Sequence, residues 1–246
     1  MREIEMRVRS YWTARAHDFG IVRRNELKDR NIGKRWLHEM GRYLPGGKRL
    51  DILDVGTGTG YFAILLSAAG HRVTGIDLTP AMLAEAESTA RTLGSSARFV
   101  LMDAMNMSFP DASFDAVVTR NLTWTLPDTE LAYCEWRRVL RPGGVLLNFD
   151  ANYGDNVRHN RQRDSYIEPT EVYGHCGVTP ELERENAEIT LSMPISRKQR
   201  PEWDRELLLR CGFAACEYDR EAGKRVLREH DLEDAPMFLL AARVGE

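Results

Sequence analysis

Apolar positions in the first 45 residues recur at helical spacing. Ile4, Val8, Tyr11, Trp12 and Phe19 follow a rough i, i+4, i+7 stripe, and Ile32, Trp36, Leu37 and Met40 form a second one. Two helices are predicted there, and LPGGKR breaks the pattern. Short apolar runs then alternate with helical stretches. RLDILDV, HRVTGID, ARFVLMDA, FDAVVTR and GVLLNFD are predicted strands; YFAILLSAAG and TELAYCEWRRVL are predicted helices. Another helix starts with Thr79 as N-cap and Pro80 in its first position, and ends before Gly94. Apolar strands alternating with helices imply a parallel sheet covered on both faces. FAACEYD and PMFLLAARV lie too close together for a crossover helix, which predicts an antiparallel pair. The result is an α/β chain with a mostly parallel seven-stranded sheet.

Between Asp150 and about Pro201 the alternation stops. This polar segment leaves a strand at its C-terminal end, the edge where open α/β sheets bind ligands. Its second half, TPELERENAEITL, has Thr179 and Pro180 as a helix start. The organisation expected is one domain over residues 1–246. An N-terminal helical cap (1–45) precedes a cofactor-binding core (46–149), a substrate lid insertion (150–200), and a C-terminal helix and strand pair (201–246).

Composition narrows the class. A chain of 246 residues with 43% hydrophobic and 29% charged residues is that of a globular enzyme. No run approaches the roughly 18 apolar residues of a membrane span. The N-terminus has no apolar h-region, so a cytoplasmic location is expected. Cys134, Cys176, Cys211 and Cys216 show neither C-x-x-C spacing nor a zinc-like cluster with histidine. The net charge of −3 argues against a dedicated nucleic-acid binder. The first 50 residues nevertheless carry 13 Lys/Arg against 6 Asp/Glu, an arm that could steer an anionic substrate or form solvated helix faces.

The candidate chemistry starts at DILDVGTGTG. A strand running into Gly-x-Gly and a helix presents backbone N–H groups to a ligand. Gly56, Gly58 and Gly60 give G-x-G-x-G, with Tyr61 where a dinucleotide loop has its last glycine. Asp54 precedes the loop by two residues; it would repel a diphosphate and attract an ammonium group. ILDVGTGTG, VTGIDLTPAML, MDAMNMSFPDASFDAVVTRNL and VLRPGGVLLNFD together resemble the class I S-adenosylmethionine-dependent methyltransferases, in particular the small-molecule type of ubiquinone and menaquinone biosynthesis. The resemblance is strong over residues 50–150, loose over the C-terminal strand pair, and nearly absent in the insertion.

The resemblance implies a Rossmann-like methyltransferase fold with S-adenosyl-L-methionine as methyl donor and S-adenosyl-L-homocysteine as product. Asp54 and the Gly56–Thr57–Gly58 backbone, with Gly60, are then expected around the methionine moiety. Asp77 would accept the ribose hydroxyls. Leu78 and Met82 would line the adenine pocket, where Asp103, Ala104 and Met105 hold the base. Arg120 and Asn121 would end the fourth strand beside the methyl group.

Methyl transfer from a sulfonium is an in-line displacement with a neutral leaving group, so alignment and water exclusion matter most. Trp12, Phe19, Trp124, Asn152, Tyr153 and Tyr173 are candidate acceptor contacts. His175 is the candidate base, with Asp150 as an orienting or catalytic acid. No Asn/Asp-Pro-Pro-Tyr follows the fourth strand, where this chain has RNLT. Asn121 and the run Asp150-Ala151-Asn152 do not match the acid positions of magnesium-dependent catechol enzymes. No metal and a small-molecule acceptor are therefore expected, with no nucleic-acid or membrane partner. Rival readings are an RNA or protein methyltransferase using the basic arm, and an NAD-dependent oxidoreductase.

Overall fold

The computed structural model describes residues 2–163 and 177–246. Helix α1 (Arg2–Lys28) runs into α2 (Arg30–Gly41), whose N-cap Asp29 accepts from Asn31 N at 2.8 Å. Then follow β1 (Asp51–Val55), α3 (Tyr61–Ala68), β2 (Arg72–Asp77), α4 (Pro80–Leu93), β3 (Arg98–Leu101), β4 (Phe114–Arg120), α5 (Thr129–Val139) and β5 (Leu140–Asp150). Helix α6 (Tyr153–Arg163) opens the insertion and α7 (Pro180–Ser192) carries its second half. The chain finishes with α8 (Glu202–Arg210), β6 (Ala215–Asp219), α9 (Ala222–Val226) and β7 (Phe238–Arg243).

The strands form one sheet in the order β3-β2-β1-β4-β5-β7-β6. Strands β1 to β5 pair in parallel, and β7 lies antiparallel to both β5 and β6. The order reverses beside β1, which places the topological switch point at the β1 and β4 ends. Two buried clusters cover the two faces. One joins Leu53, Val117, Tyr133, Trp136 and Leu240; the other joins Ile52, Trp36, Phe62, Val118 and Phe149. Alternate residues of β1 and β4 thus point to opposite layers, as the pleat requires.

Three features differ from the sequence expectation. The stretch between β6 and β7 contains α9, because Ala222, Val226 and Leu227 bury against the α2 layer. The start of the insertion is helical over Tyr153–Arg163, although its sparse apolar content gave no periodic signal. The far end of the segment read as a lid belongs to the core: the Arg200 side chain is 1% exposed beside the end of β5. Thr179 caps α7 by accepting from Leu182 N at 3.3 Å, as expected.

Candidate active site

The C-terminal ends of β1, β2 and β4 open into a cavity of about 880 Å³ roofed by α1 and α7. The glycine loop forms its floor. Gly56 has φ +65°, and a Cβ there would lie 2.6 Å from Leu122, so this turn requires glycine. Gly60 does not line the cavity. Its φ is +88° and a Cβ would press at 3.0 Å on Ala86 and Phe99, so it serves packing rather than the ligand contact expected of it.

Two carboxylates stand beside this loop. Asp54 is 2% exposed and accepts from Thr57 Oγ1 at 2.6 Å and Ala63 N at 3.0 Å. Burial pushes its carboxyl up to about 7, against the pull of those two donors and with a further push from Asp77. Asp77 accepts from Gly58 N and Thr79 N, both at 2.9 Å, and burial raises it as well. Each Asp77 oxygen keeps one lone pair for a ligand. Leu78, Met82, Asp103, Ala104 and Met105 line the next part of the same cavity. Asp103 is held in place by Met105 N at 2.8 Å, and Ala104 by Trp136 Nε1, which donates to its carbonyl at 3.0 Å.

At the end of β4 the structure adds a cluster that the sequence did not reveal. Arg120 donates to Glu26 Oε1 at 2.8 Å, Arg23 bonds the other Glu26 oxygen, and Trp36 Nε1 donates at 3.2 Å. Burial opposes ionisation of Glu26, but Arg120 and Arg23 outweigh it and hold the carboxyl at about 2. Arg23 is itself lowered by burial and by Arg120. Both arginines line the cavity, so two cations share one buried carboxylate beside it. Among the described residues, the buried Arg120 Nε and Tyr61 hydroxyl meet no hydrogen-bond partner. Burial raises the Tyr61 hydroxyl, which stays protonated as a donor.

Asn121 follows with φ +56°, a left-handed conformation that asparagine tolerates better than most residues. Its backbone carbonyl accepts Trp124 Nε1 at 2.9 Å, and its buried Oδ1 has no donor among the described residues. Trp124 begins an aromatic wall. Its ring centroid lies 5.4 Å from Tyr153 and 6.3 Å from Trp12, which in turn lies 5.1 Å from Tyr11 and 5.5 Å from Phe19. All five line the cavity, and Phe19 lies over Gly58, 3.7 Å from a Cβ built there. Helix α7 closes this end and is tied to α1 by Arg7, which pairs with Glu185 at 2.8 Å and Glu188 at 2.9 Å. Asn186 on α7 also lines the cavity, its buried Oδ1 likewise without a donor among the described residues.

Other expected residues fall elsewhere. Asp150 is fully buried and does not line the cavity. Its carboxylate accepts from Thr123 N at 3.0 Å, from the Thr123 hydroxyl and from Ala151 N at 2.8 Å, and lies 3.4 Å from Arg200. It is a buried anchor under the Trp124 turn rather than a catalytic acid. Asn152 also misses the cavity, its side-chain amide donating to Asp155. Tyr173 and His175 lie outside the described residues.

Several known proteins are similar to this chain. The family profile described as "Methyltransferase domain" matches residues 53–148. A demethylmenaquinone methyltransferase of Thermus thermophilus is 44% identical over 98 residues, covering 39% of this chain and 44% of the relative. A phosphatidylethanolamine N-methyltransferase of Cereibacter sphaeroides is 36% identical over 149 residues, covering 59% of this chain and 68% of the relative. The chain thus spans less than half of the first relative's length. Among solved structures, Haemonchus contortus phosphoethanolamine N-methyltransferase 2 in complex with S-adenosyl-L-methionine superposes with TM-score 0.60 at 18% identity, over 85% of this chain and 52% of the other. The [4+2]-cyclase SpnF superposes with TM-score 0.55 at 20% identity, over 86% and 80%. These two likenesses show the fold alone.

Proposed function

The chain belongs to the class I S-adenosylmethionine-dependent methyltransferases, and on that premise we propose that it methylates a small organic acceptor held against the Tyr11–Trp12–Trp124–Tyr153 wall. One observation carries the donor assignment: Asp54 and Asp77 flank the glycine loop from both sides. Two carboxylates would repel a diphosphate there. They suit a ligand that brings an ammonium group to Asp54 and a ribose diol to Asp77.

The remaining donor set fits the same molecule. Arg120 and Arg23 supply cationic N–H groups for the methionine carboxylate, with the Tyr61 hydroxyl as a further donor. Leu78 and Met82 provide apolar surface for adenine, and Asp103 an acceptor for its amino group. When bound, S-adenosylmethionine supplies an electrophilic methyl on a sulfonium whose leaving group departs neutral. The chain's own work is then to align and to exclude water. The aromatic wall offers a flat apolar surface to the acceptor body. Asn121 Oδ1 and Asn186 Oδ1 are buried acceptors for a hydroxyl or amine on that acceptor. Helices α6 and α7 form the cover, with α7 clasped to α1 through Arg7. His175 and Tyr173, in the same insertion, remain candidates for base and acceptor contact.

The basic N-terminal segment supports a small acceptor over a nucleic acid. Arg7, Arg23 and Arg24 are engaged by Glu185, Glu26 and Glu85 within the chain. Arg7 and Arg24 tie α1 to α7 and α4, and Arg23 is paired within α1, so activity should depend only weakly on salt.

Binding of S-adenosylhomocysteine is expected to raise the thermal midpoint by mass action, while NADH leaves it unchanged. A shift with NADH and none with S-adenosylhomocysteine would reverse the donor assignment. Transfer from radiolabelled S-adenosylmethionine to a panel of hydroxylated aromatics and apolar amines then tests the acceptor class.

The Asp54 carboxyl adds a pH signature. Its folded pKa, about 7, lies above the ordinary 3.8, so its contribution to stability is full below pH 4 and is lost as pH rises through 7. An arriving ammonium favours the charged form. Binding near pH 6 should therefore release close to one proton, and affinity should rise from pH 5 to pH 7. Calorimetry in buffers of different ionisation enthalpy counts that proton; Asp54→Asn should release none.

Chelation should have no effect. Asn121 follows β4, and the Asp150 carboxylate is taken up by Arg200 and Thr123, so neither strand end presents a carboxylate to a divalent ion. Turnover in excess EDTA should equal turnover without it; loss restored by magnesium refutes this.

A further inference from the structure

Two cysteines that the methyl-transfer reading leaves unused meet on the surface. Cys134 Sγ on α5 lies 3.0 Å from Cys211 Sγ at the end of α8, although 77 positions separate them in sequence. Both are free thiols, Cys134 exposed and Cys211 half-buried. They lie in a hollow of about 460 Å³ lined also by Arg137, Pro142, Gly212 and Val244. Pro142 near the start of β5 and Val244 just past β7 place this hollow at the sheet edge away from the cavity.

We propose that Cys134 and Cys211 form a thiol–disulfide exchange site that accepts a low-molecular-weight disulfide and closes to a reversible intrachain disulfide. The sulfurs need to approach by only about 1 Å to bond. The roles of the two thiols follow from their surroundings. Cys211 is pushed up to about 12 by burial and by its hydrogen bond with Cys134, and its thiol donates to the Glu130 carbonyl at 3.7 Å. Cys134 is the accessible sulfur and makes the first attack. Its thiolate displaces one thiolate from the small disulfide and leaves a mixed disulfide on Cys134. Cys211 then loses its proton to solvent base and attacks the Cys134 sulfur, expelling the second thiolate. The two cysteines are oxidised, and one disulfide is reduced to two thiols that take up the two protons. Arg137 lines the hollow and favours disulfides that carry carboxylates.

The bond would join α5 to α8 on their outer sides. On their inner sides the same helices are already joined by Tyr133, whose hydroxyl donates to Asp204 at 2.6 Å. The closed ring would constrain the unfolded chain far more than this native contact region.

The test incubates the full-length protein with glutathione disulfide near pH 8. The expected product has lost two hydrogens in intact mass and gives a proteolytic fragment linking residues 134 and 211. Its thermal midpoint should rise by roughly 4–15 °C and return on treatment with dithiothreitol. Cys211→Ser should stop at a stable mixed disulfide on Cys134, and Cys134→Ser should form no 134–211 link. Wild-type protein that keeps all four thiols titratable, retains glutathione on Cys134, or links Cys134 to another cysteine overturns the proposal.

Discussion

Arg200→Met is expected to cost about 3–5 kcal/mol of folding stability, because it leaves two buried carboxylates without their cation. The Arg200 side chain is 1% exposed. Its Nε donates to Asp204 at 2.8 Å and its Nη2 lies 3.4 Å from Asp150. Nη2 also donates to the Thr123 hydroxyl at 2.6 Å, and Nη1 to the Ala151 carbonyl at 3.2 Å. The guanidinium stacks over Phe238 at 5.1 Å. Burial alone would lower the pKa of Arg200, but Asp204 and Asp150 raise it above the ordinary value. Methionine fills much of the volume and satisfies none of these acceptors. A drop of roughly 6–20 °C in thermal midpoint follows. The triple variant that also carries Asp150→Asn and Asp204→Asn should recover part of it, since the buried charges go with their partner. A loss below about 1 kcal/mol in Arg200→Met would show the cluster to be well hydrated instead. The consequence reaches the cavity, because Asp150 anchors Thr123 and the turn that presents Trp124.

Asp77→Ala is expected to weaken S-adenosylhomocysteine binding by about 2–3 kcal/mol, roughly 30- to 150-fold. The carboxylate has two tasks in the structure. It ties Gly58 N and Thr79 N together across the cavity floor, and it holds two further lone pairs toward a diol. Alanine removes both, whereas asparagine keeps one acceptor and should lose less. Stability without ligand should change little, because burial already disfavours the Asp77 charge and its loss offsets the two broken hydrogen bonds. Titration calorimetry measures the effect directly. Equal affinity in Asp77→Ala and the unaltered protein would remove Asp77 from the ribose site.

Much of the floor of this site was legible because it is local. A glycine loop between an apolar strand and a helix is written in ten consecutive residues, and the loop, Asp77 and Asp103 each follow a strand whose periodicity is plain. Seven strands and the antiparallel final pair came from the same kind of signal. The misreadings of Asp150 and Asn152 have one cause. Position at a strand's C-terminal end predicts nearness to a ligand, but the side chain points wherever its partners lie. For Asp150 the partners are Thr123 and Arg200, 27 and 50 positions away.

Trp12, Phe19, Trp124 and Tyr153 of the aromatic wall were named from the sequence, but its charged part was not, for the same reason. Arg23 and Glu26 read as part of a charged helix face, and only the packing of α1 on β4 brings Arg120 to the same carboxylate, 94 positions from Glu26. Tyr11 and Asn186 became cavity residues only through the closure of α7 on α1. The sequence by itself determined where backbone turns and strand ends must fall, since sterics and periodicity act over a few residues. Tertiary structure decided which charges are buried and with whom, since a desolvated ion is tolerable only beside a partner that the fold, not the chain order, delivers.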